Sequence, residues 1–359
     1  MLSSLRLLDF RCFESLSIEL GEAGALFIGD NAQGKTSILE AVCVLMRLHS
    51  PRAKRMQPLI RSGAEVYGVA GEVVDERGDE VSLRVQYSKG KAVFQRDGEE
   101  LNTQGDYLTS SGLVVWMGNE DVELVRGSGG VRRHYLDFLC SQVDGTYRQA
   151  LSRYRRVLKA RNILLKDGRQ NDAEINAYGE LLVQYGDLLG SVRSQLVNDL
   201  LDRVAAAQVA ISGRDEKLTL EFVSGSGGDM RQALETTYES ERRQRQTVAG
   251  PHRDELKIMI NGMSALDYGS EGQQRTVALA MKLAQGELLR EKGGKFPIYL
   301  LDDIFGELDS SRRNALMAYL PEDAQRLITT TNLDWLNDSG ESFKDWSRYT
   351  VDSGKVVRE

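Results

Sequence analysis

The sequence predicts an α/β fold in which a mixed sheet is built from both ends of the chain and a mostly helical lobe is inserted between them. Three observations predict it. First, Gly29 to Thr36 fits the template G-x-x-x-x-G-K-[ST] at every fixed position. It is flanked by an apolar run, Ala25 to Ile28, and by Ile38, Val42, Leu45 and Met46 at helical spacing. Second, Phe296 to Leu301 is an apolar strand ending in Asp302 and Asp303. Consecutive apolar residues of this kind demand a strand buried on both faces of a parallel sheet. Third, most of the chain separates the two motifs, and its middle, 131–213, is helical in pattern. If both motifs serve one site, the middle must be an insertion. We therefore expect a discontinuous lobe, 1–117 and 250–359, and an inserted lobe, 118–249.

The totals are compatible with this. A chain of 359 residues with 41% hydrophobic and 28% charged content is ordinary for a globular protein of two domains, or of one domain with a large insertion. The net charge of −7 does not advertise a nucleic-acid binder, although a local basic surface decides that question. Cys12, Cys43 and Cys140 are too scattered for a disulfide frame, and Cys12 and Cys43 read as small core residues. His49, His134 and His252 lack metal-site spacing. The N-terminus has no secretory pattern and no run is long enough to span a bilayer, so a cytoplasmic protein without membrane contact is expected.

In chain order, Leu5, Leu7 and Phe10, then Leu16, Ile18 and Leu20, alternate as two antiparallel strands joined around Arg11 to Glu14. Arg11 and Phe13 precede the glycine loop. Arg11 either borders a phosphate or is a surface arginine. In the glycine loop, backbone N–H groups turn inward and the helix N-terminus adds positive potential, which makes a phosphate site. Its expected contacts are Gly29, Asp30, Asn31, Ala32, Gln33, Gly34, Lys35, Thr36 and Ser37. Lys35 would reach the β- and γ-phosphates, and the Thr36 hydroxyl would ligate Mg²⁺. The loop is therefore expected to hold a nucleoside triphosphate with Mg²⁺.

Strand-like runs follow at Val66–Val74, Val81–Tyr87 and Ala92–Arg96, with turns at Glu76 to Asp79 and at Asp97-Gly98. Leu113 to Trp116 is a further buried strand, and Gly118 to Asp121 a loop that reaches toward the nucleotide. Helical segments are expected at 131–143, 145–166, 173–189, 192–211 and 230–246, the middle pair continuous or kinked near Gly190. Thr219 to Phe222 is a short strand, and Leu256 to Ile260 a strand returning to the first lobe.

Beyond the helices, Ser270-Glu271-Gly272-Gln273-Gln274-Arg275 opens a helix from Thr276 to Leu289. Ser, Gly and backbone amides at a helix start form a second anion site. The first loop already surrounds its phosphate, so this one either serves the nucleotide of another subunit or is an ordinary cap at Ser270. In the strand at 296–303, Asp302 is placed to hold Mg²⁺ and Asp303 to orient or polarise the attacking water, with Lys35 the second catalytic group. Leu327 to Asn332 is a strand ending in hydroxyls.

Together Gly29–Thr36, Arg132–Asp137, Gly250–Asp254, Ser270–Arg275, Leu300–Asp303 and Glu307–Asp309 resemble the ABC-type ATPase heads of the SMC class. They resemble most the RecF family of DNA-repair proteins, over about Leu5 to Asn332. The resemblance implies an ABC-type P-loop ATPase head that forms an ATP-dependent homodimer. Ser270, Gly272 and Gln273 would meet the partner's γ-phosphate, and Asp309 would lie at the seam. It also implies binding to single- and double-stranded DNA and to gapped junctions, help in RecA loading, replication-fork maintenance and the SOS response, and RecO- and RecR-type partners. Two departures from the wider ABC pattern, Asp303 in place of Glu and no switch histidine near Thr330 and Thr331, imply slow turnover used as a switch. A transporter ATPase subunit is the alternative. The size of the helical insertion, the missing histidine and the form of the signature stretch count against it. SMC proteins proper need hundreds of coiled-coil residues, and nuclease-coupled relatives need an acidic metal-binding domain.

One stretch suits DNA locally. From Gly145 to Lys166 there are Lys and Arg but no Asp or Glu, and Arg148, Arg155, Lys159 and Lys166 fall within about 40° of one another on a helix. Tyr147, Leu151, Tyr154, Leu158 and Leu165 form a separate apolar stripe. Arg52, Lys54 and Arg55 are the next basic candidates.

Overall fold

The computed structural model describes residues 1–74, 78–167, 172–333, 335 and 346–359. Glu76 and Arg77 of one expected turn lie outside the described residues. By packing, the chain forms two units, Met1–Asp121 with Gln285–Glu359, and Val122–Ala284. The first is built from both chain ends, as the spacing of the motifs requires. The second boundary differs from the expected 249/250, because residues 250–284 belong to the inserted unit. Strand Glu255–Ile260 does not return to the first unit. It pairs antiparallel along its length with Leu218–Val223. An alternating strand pattern states that a face is buried, but not which sheet takes it.

The first unit holds two sheets. One is antiparallel, in the order Phe13–Glu19, Leu2–Phe10, Val66–Val74, Glu80–Ser88, Lys91–Arg96, Glu99–Glu100. Its tight turn at Asp97-Gly98 has positive φ at both residues, which matches the twist of the flanking strands. The other runs Lys355–Arg358, Ser347–Asp352, Gly24–Ile28, Arg326–Thr330, Ile298–Asp302, Val114–Gly118, parallel except at its first pair. The Gln325 side chain ties the chain ends together. Its Oε1 accepts from Leu2 N at 2.8 Å and its Nε2 donates to Leu2 O at 2.7 Å.

Helix Lys35–Arg47 packs against strands of both sheets. Ile38 and Val42 face burial as the spacing predicts, but Leu39, Ala41, Cys43 and Val44 are equally inaccessible. A helix that is apolar all round is one that lies inside a core. Cys12, expected in the core, is exposed, because it sits in the turn between the first two strands.

In the second unit, helix Gly145–Asp167 packs along helix Asp172–Ser212. The latter is a continuous helix of 41 residues with Gly190 inside it. Tyr147, Leu151, Tyr154 and Leu165 are buried as the stripe predicts. Among the described residues, no helix is long and apolar enough to cross a membrane.

Candidate nucleotide site

The parallel sheet brings the two motifs to one edge. Thr330 pairs with Ile28, and Asp302 pairs with Thr329 on one side and Gly118 on the other. The carboxyl ends of these strands therefore share an edge, where open α/β sheets bind ligands. From Ile28 the chain passes through residues 29–34 into helix Lys35–Arg47. The N-cap of this helix is Gly34, with φ of 113° and no side-chain cap. A side chain there is excluded twice, by the backbone angle and by Cys12 Sγ, which a Cβ would meet at 2.7 Å. Ser37 N already donates to Gly34 O at 3.0 Å, so it is the Lys35 and Thr36 amides that are left to a ligand rather than to a capping residue.

Lys35 is buried at the base of this loop, and its Nζ donates to the carbonyls of Gly29 at 2.5 Å and Asp30 at 2.8 Å. Burial lowers its pKa, opposed by the charges of Asp303, Asp302 and Asp30. The Thr36 hydroxyl donates to Asp302 Oδ1 at 2.9 Å. Burial raises the Asp302 pKa, while hydrogen bonds from Thr329 and Thr36 lower it. Asp303 is likewise raised by burial and lowered by Lys35. Its φ of 51° is unusual for a residue with a side chain, and its N–H is held by Thr329 Oγ1 at 2.9 Å. The sequence motifs Lys35, Thr36, Asp302 and Asp303 therefore converge. Among the described residues no group of three or more His, Cys, Asp or Glu side chains fits a metal ion. A cation here would take Thr36, Asp302 and groups from the nucleotide and solvent.

Thr329 is the residue that sequence reasoning passed over. Its hydroxyl donates to Asp302 Oδ1 at 2.8 Å while receiving the Asp303 N–H. The signal lay in the hydroxyl run that ends strand Arg326–Thr330, but only the register selects Thr329 over its neighbours. Thr330 Oγ1 instead donates to Asn332 O. The loop after Val114–Gly118 does reach this edge. Asn119 Nδ2 donates to Asp303 O at 3.4 Å, and Glu120 raises the Asp302 pKa.

Other expected contacts have different local partners. Arg11 forms a two-pronged pair with the fully buried Glu40, both distances 2.7 Å, and also donates to Pro58 O. These contacts hold its guanidinium against the helix Lys35–Arg47. Asp309 caps helix Ser310–Tyr319, accepting from Arg312 N and Nη1, each at 2.9 Å. Asp30, Asn31 and Ala32 are exposed, Gln33 half-buried and Ser37 buried.

In the second unit, Ser270 and Gln273 cap the helix Glu271–Gly293 reciprocally. Ser270 N donates to Gln273 Oε1 at 2.9 Å, and Gln273 N donates to Ser270 Oγ at 3.3 Å. Gly272 lies in the first turn of this helix. The stretches Arg132–Asp137 and Gly250–Asp254 meet in a buried polar network. Arg193 donates to Asp137 Oδ1 and Asp254 Oδ2, each at 2.6 Å, and to Tyr147 Oη at 2.9 Å. Its guanidinium is held well above the usual range by those carboxylates despite burial. The adjoining His252 accepts from Tyr154 at Nδ1 and faces Thr247 O with Nε2; burial pushes it down to about 4. The basic helix divides accordingly. Lys159 and Lys166 are exposed, Arg155 is exposed but paired with Asp137 at 2.8 Å, and Arg148 is half-buried and donates to Ser141 O.

Comparison with known proteins places this geometry. Residues 1–348 match the family described as RecF/RecN/SMC N terminal domain. The DNA replication and repair protein RecF of Shouchella clausii is 32% identical over 100% of this chain and 99% of its own length. That of Oenococcus oeni is 34% identical over 99% of each chain. The solved structure of the recombination mediator protein RecF-ATPrS in the RecFOR pathway superposes with a TM-score of 0.89 at 30% identity, covering 100% of this chain and 98% of the other. An Smc head domain derived from Pyrococcus furiosus shares the fold at 16% identity, with a TM-score of 0.58 over 100% of this chain and 96% of the other.

Proposed function

Because this chain belongs to the RecF family of DNA replication and repair proteins, we propose that it is an ATP-gated DNA-binding switch. Two copies close around ATP while on DNA, and slow hydrolysis releases them. On this reading the protein helps RecA loading at gaps, replication-fork maintenance and the SOS response, with RecO- and RecR-type mediators as partners. Membership of the family sets aside the transporter alternative. A solved RecF structure with ATP, 29% identical to this chain, supports ATP as the nucleotide.

The observation that carries the reading is the Thr36–Asp302 contact beneath an uncapped helix start. A hydroxyl and a carboxylate that close are hard oxygen donors of the kind Mg²⁺ takes, so the residues present fit that ion. Bound there, Mg²⁺ supplies neutralisation of phosphate charge. The chain's own groups do the rest. Lys35 exchanges the Gly29 and Asp30 carbonyls for β- and γ-phosphate oxygens. Thr329 holds Asp302 in place and fixes the backbone of Asp303. Asp303, a stronger base than an exposed aspartate, orients and polarises the attacking water. Ser270, Gly272 and Gln273 of a second copy offer the remaining first-turn amides to the γ-phosphate, with Asp309 at the seam.

Sedimentation of the full chain with and without a non-hydrolysable ATP analogue tests this. A dimer with the analogue and a monomer without it is expected; the same species in both runs defeats the proposal. For DNA, Lys159→Ala with Lys166→Ala is the informative pair, since Arg155 and Arg148 also have structural partners. Each lost phosphate contact should lower the slope of log affinity against log salt by about 0.9 on duplex DNA. An unchanged slope and affinity would move the DNA path to Arg52, Lys54 and Arg55.

A further inference from the structure

The last residues of the chain carry no motif, yet they touch the phosphate loop. Strands Ser347–Asp352 and Lys355–Arg358 are joined by Ser353 and Gly354, with φ of 49° and 75°. That is a rigid two-residue hairpin turn. Its amides point at one residue of the phosphate loop. Ser353 N donates to Gln33 Oε1 at 2.6 Å, and Gly354 N donates to Gln33 O at 3.2 Å. The Ser353 hydroxyl lies 3.4 Å from the same Oε1 and 2.9 Å from Asp352 Oδ1. The hairpin also passes against the first loop glycine, where a Cβ on Gly29 would lie 2.1 Å from Val351 O.

The hairpin therefore meets the loop at Gly29 and at Gln33, on either side of residues 30–32. Between them Ala32 adopts φ of 65°. A residue with a side chain keeps such a conformation only where its surroundings over-determine it. Gln33, the next residue, is fixed through both its main chain and its side chain. We propose that the Ser353–Gly354 turn is a positioning element for nucleotide binding, holding the phosphate loop in its anion-binding shape from the outside. The loop's inner amides are then arranged before the phosphates arrive, and less ordering is required on binding. This rests on the nucleotide reading above and deepens it: affinity for ATP is set partly by residues at the chain's far end.

A double-mutant cycle tests it. Gly354→Ala places a Cβ 3.1 Å from Cys12 O at a positive φ, which pushes the turn off Gln33 without adding a group able to reach a nucleotide. Gln33→Ala removes the side-chain acceptor. By titration calorimetry on the full chain with Mg²⁺, each variant is expected to weaken ATP binding about three- to tenfold. The double variant should lose less than the sum of the two single losses, because both variants disturb the Ser353 N–Gln33 Oε1 contact. Losses that add in full, or Gly354→Ala binding ATP like wild type, would overturn the proposal. Amide exchange gives a readout that needs no variant. The Ser353 and Gly354 amides should exchange more slowly when an ATP analogue is bound, and unchanged exchange would overturn it. Wild-type protein that binds no ATP would instead defeat the nucleotide reading itself.

Discussion

Two helices in this chain begin on glycine- and serine-containing turns that look equally ready for an anion, and their donors are arranged oppositely. Helix Lys35–Arg47 starts from Gly34 with no side-chain cap, and Lys35 folds back over the loop carbonyls. Helix Glu271–Gly293 starts from Ser270, and Ser270 and Gln273 occupy each other's amides. The first start keeps its orphan donors for a ligand and is walled on its outer side by the C-terminal turn. The second has already satisfied part of its own. A site that binds firmly within one chain is organised before the ligand comes. The second start, proposed to meet a second copy's ligand, is capped on its own, and its first-turn Glu271 is paired with Arg126 and Arg275.

The largest expected effect tests the first start. Lys35→Met removes the charge proposed to meet the phosphates and should weaken ATP binding about 10- to 100-fold in titration calorimetry. Ser270→Arg should leave that affinity unchanged. Equal losses would erase the distinction between the two starts.

The second start is broken by Ser270→Asp. Aspartate caps a helix as well as serine does, so the thermal midpoint should stay within about a degree of wild type. Its charge sits where a partner's γ-phosphate is proposed to arrive, so dimerisation with an ATP analogue should weaken by at least about tenfold in sedimentation. A variant that dimerises normally would leave Ser270 as a cap and nothing more.

The smallest effect is on pH. Burial raises the Asp302 carboxyl from its ordinary value, against the hydrogen bonds from Thr329 and Thr36. Protons compete with Mg²⁺ for its charged form, so Mg²⁺ affinity should fall as pH is lowered, by up to about tenfold per unit below that raised value. The fall should begin at a higher pH than an exposed aspartate would give. Mg²⁺ titrations of the ATP complex across pH would show it. The same profile in Asp302→Asn would remove Asp302 from the metal site.

The two motifs were legible because each is a complete local device. Gly29–Thr36 builds a turn and a helix start, and Ile298–Asp302 carries an apolar run that only a central parallel strand can bury. Thr329 was not legible, because its role is a register, Asp302 opposite Thr329, and register is a property of two strands rather than one. Arg11 was ambiguous because its partner Glu40 lies opposite the apolar stripe of Ile38, Val42 and Leu45, and only packing buries it.

The phosphate loop, the carboxylate strand, the insertion between the chain's two ends and the resemblance that joins them were all readable from the residues alone. Those depend on spacing within single segments, where backbone geometry leaves few alternatives. Tertiary structure decided which sheet received Glu255–Ile260, that Ser270 and Gln273 close on each other, that Arg193 gathers Asp137 and Asp254, and that the last hairpin leans on Gln33. Each of these satisfies a polar group or a strand edge with a partner distant in sequence. Burial requires that such groups find a partner without specifying which one, and only packing makes the choice.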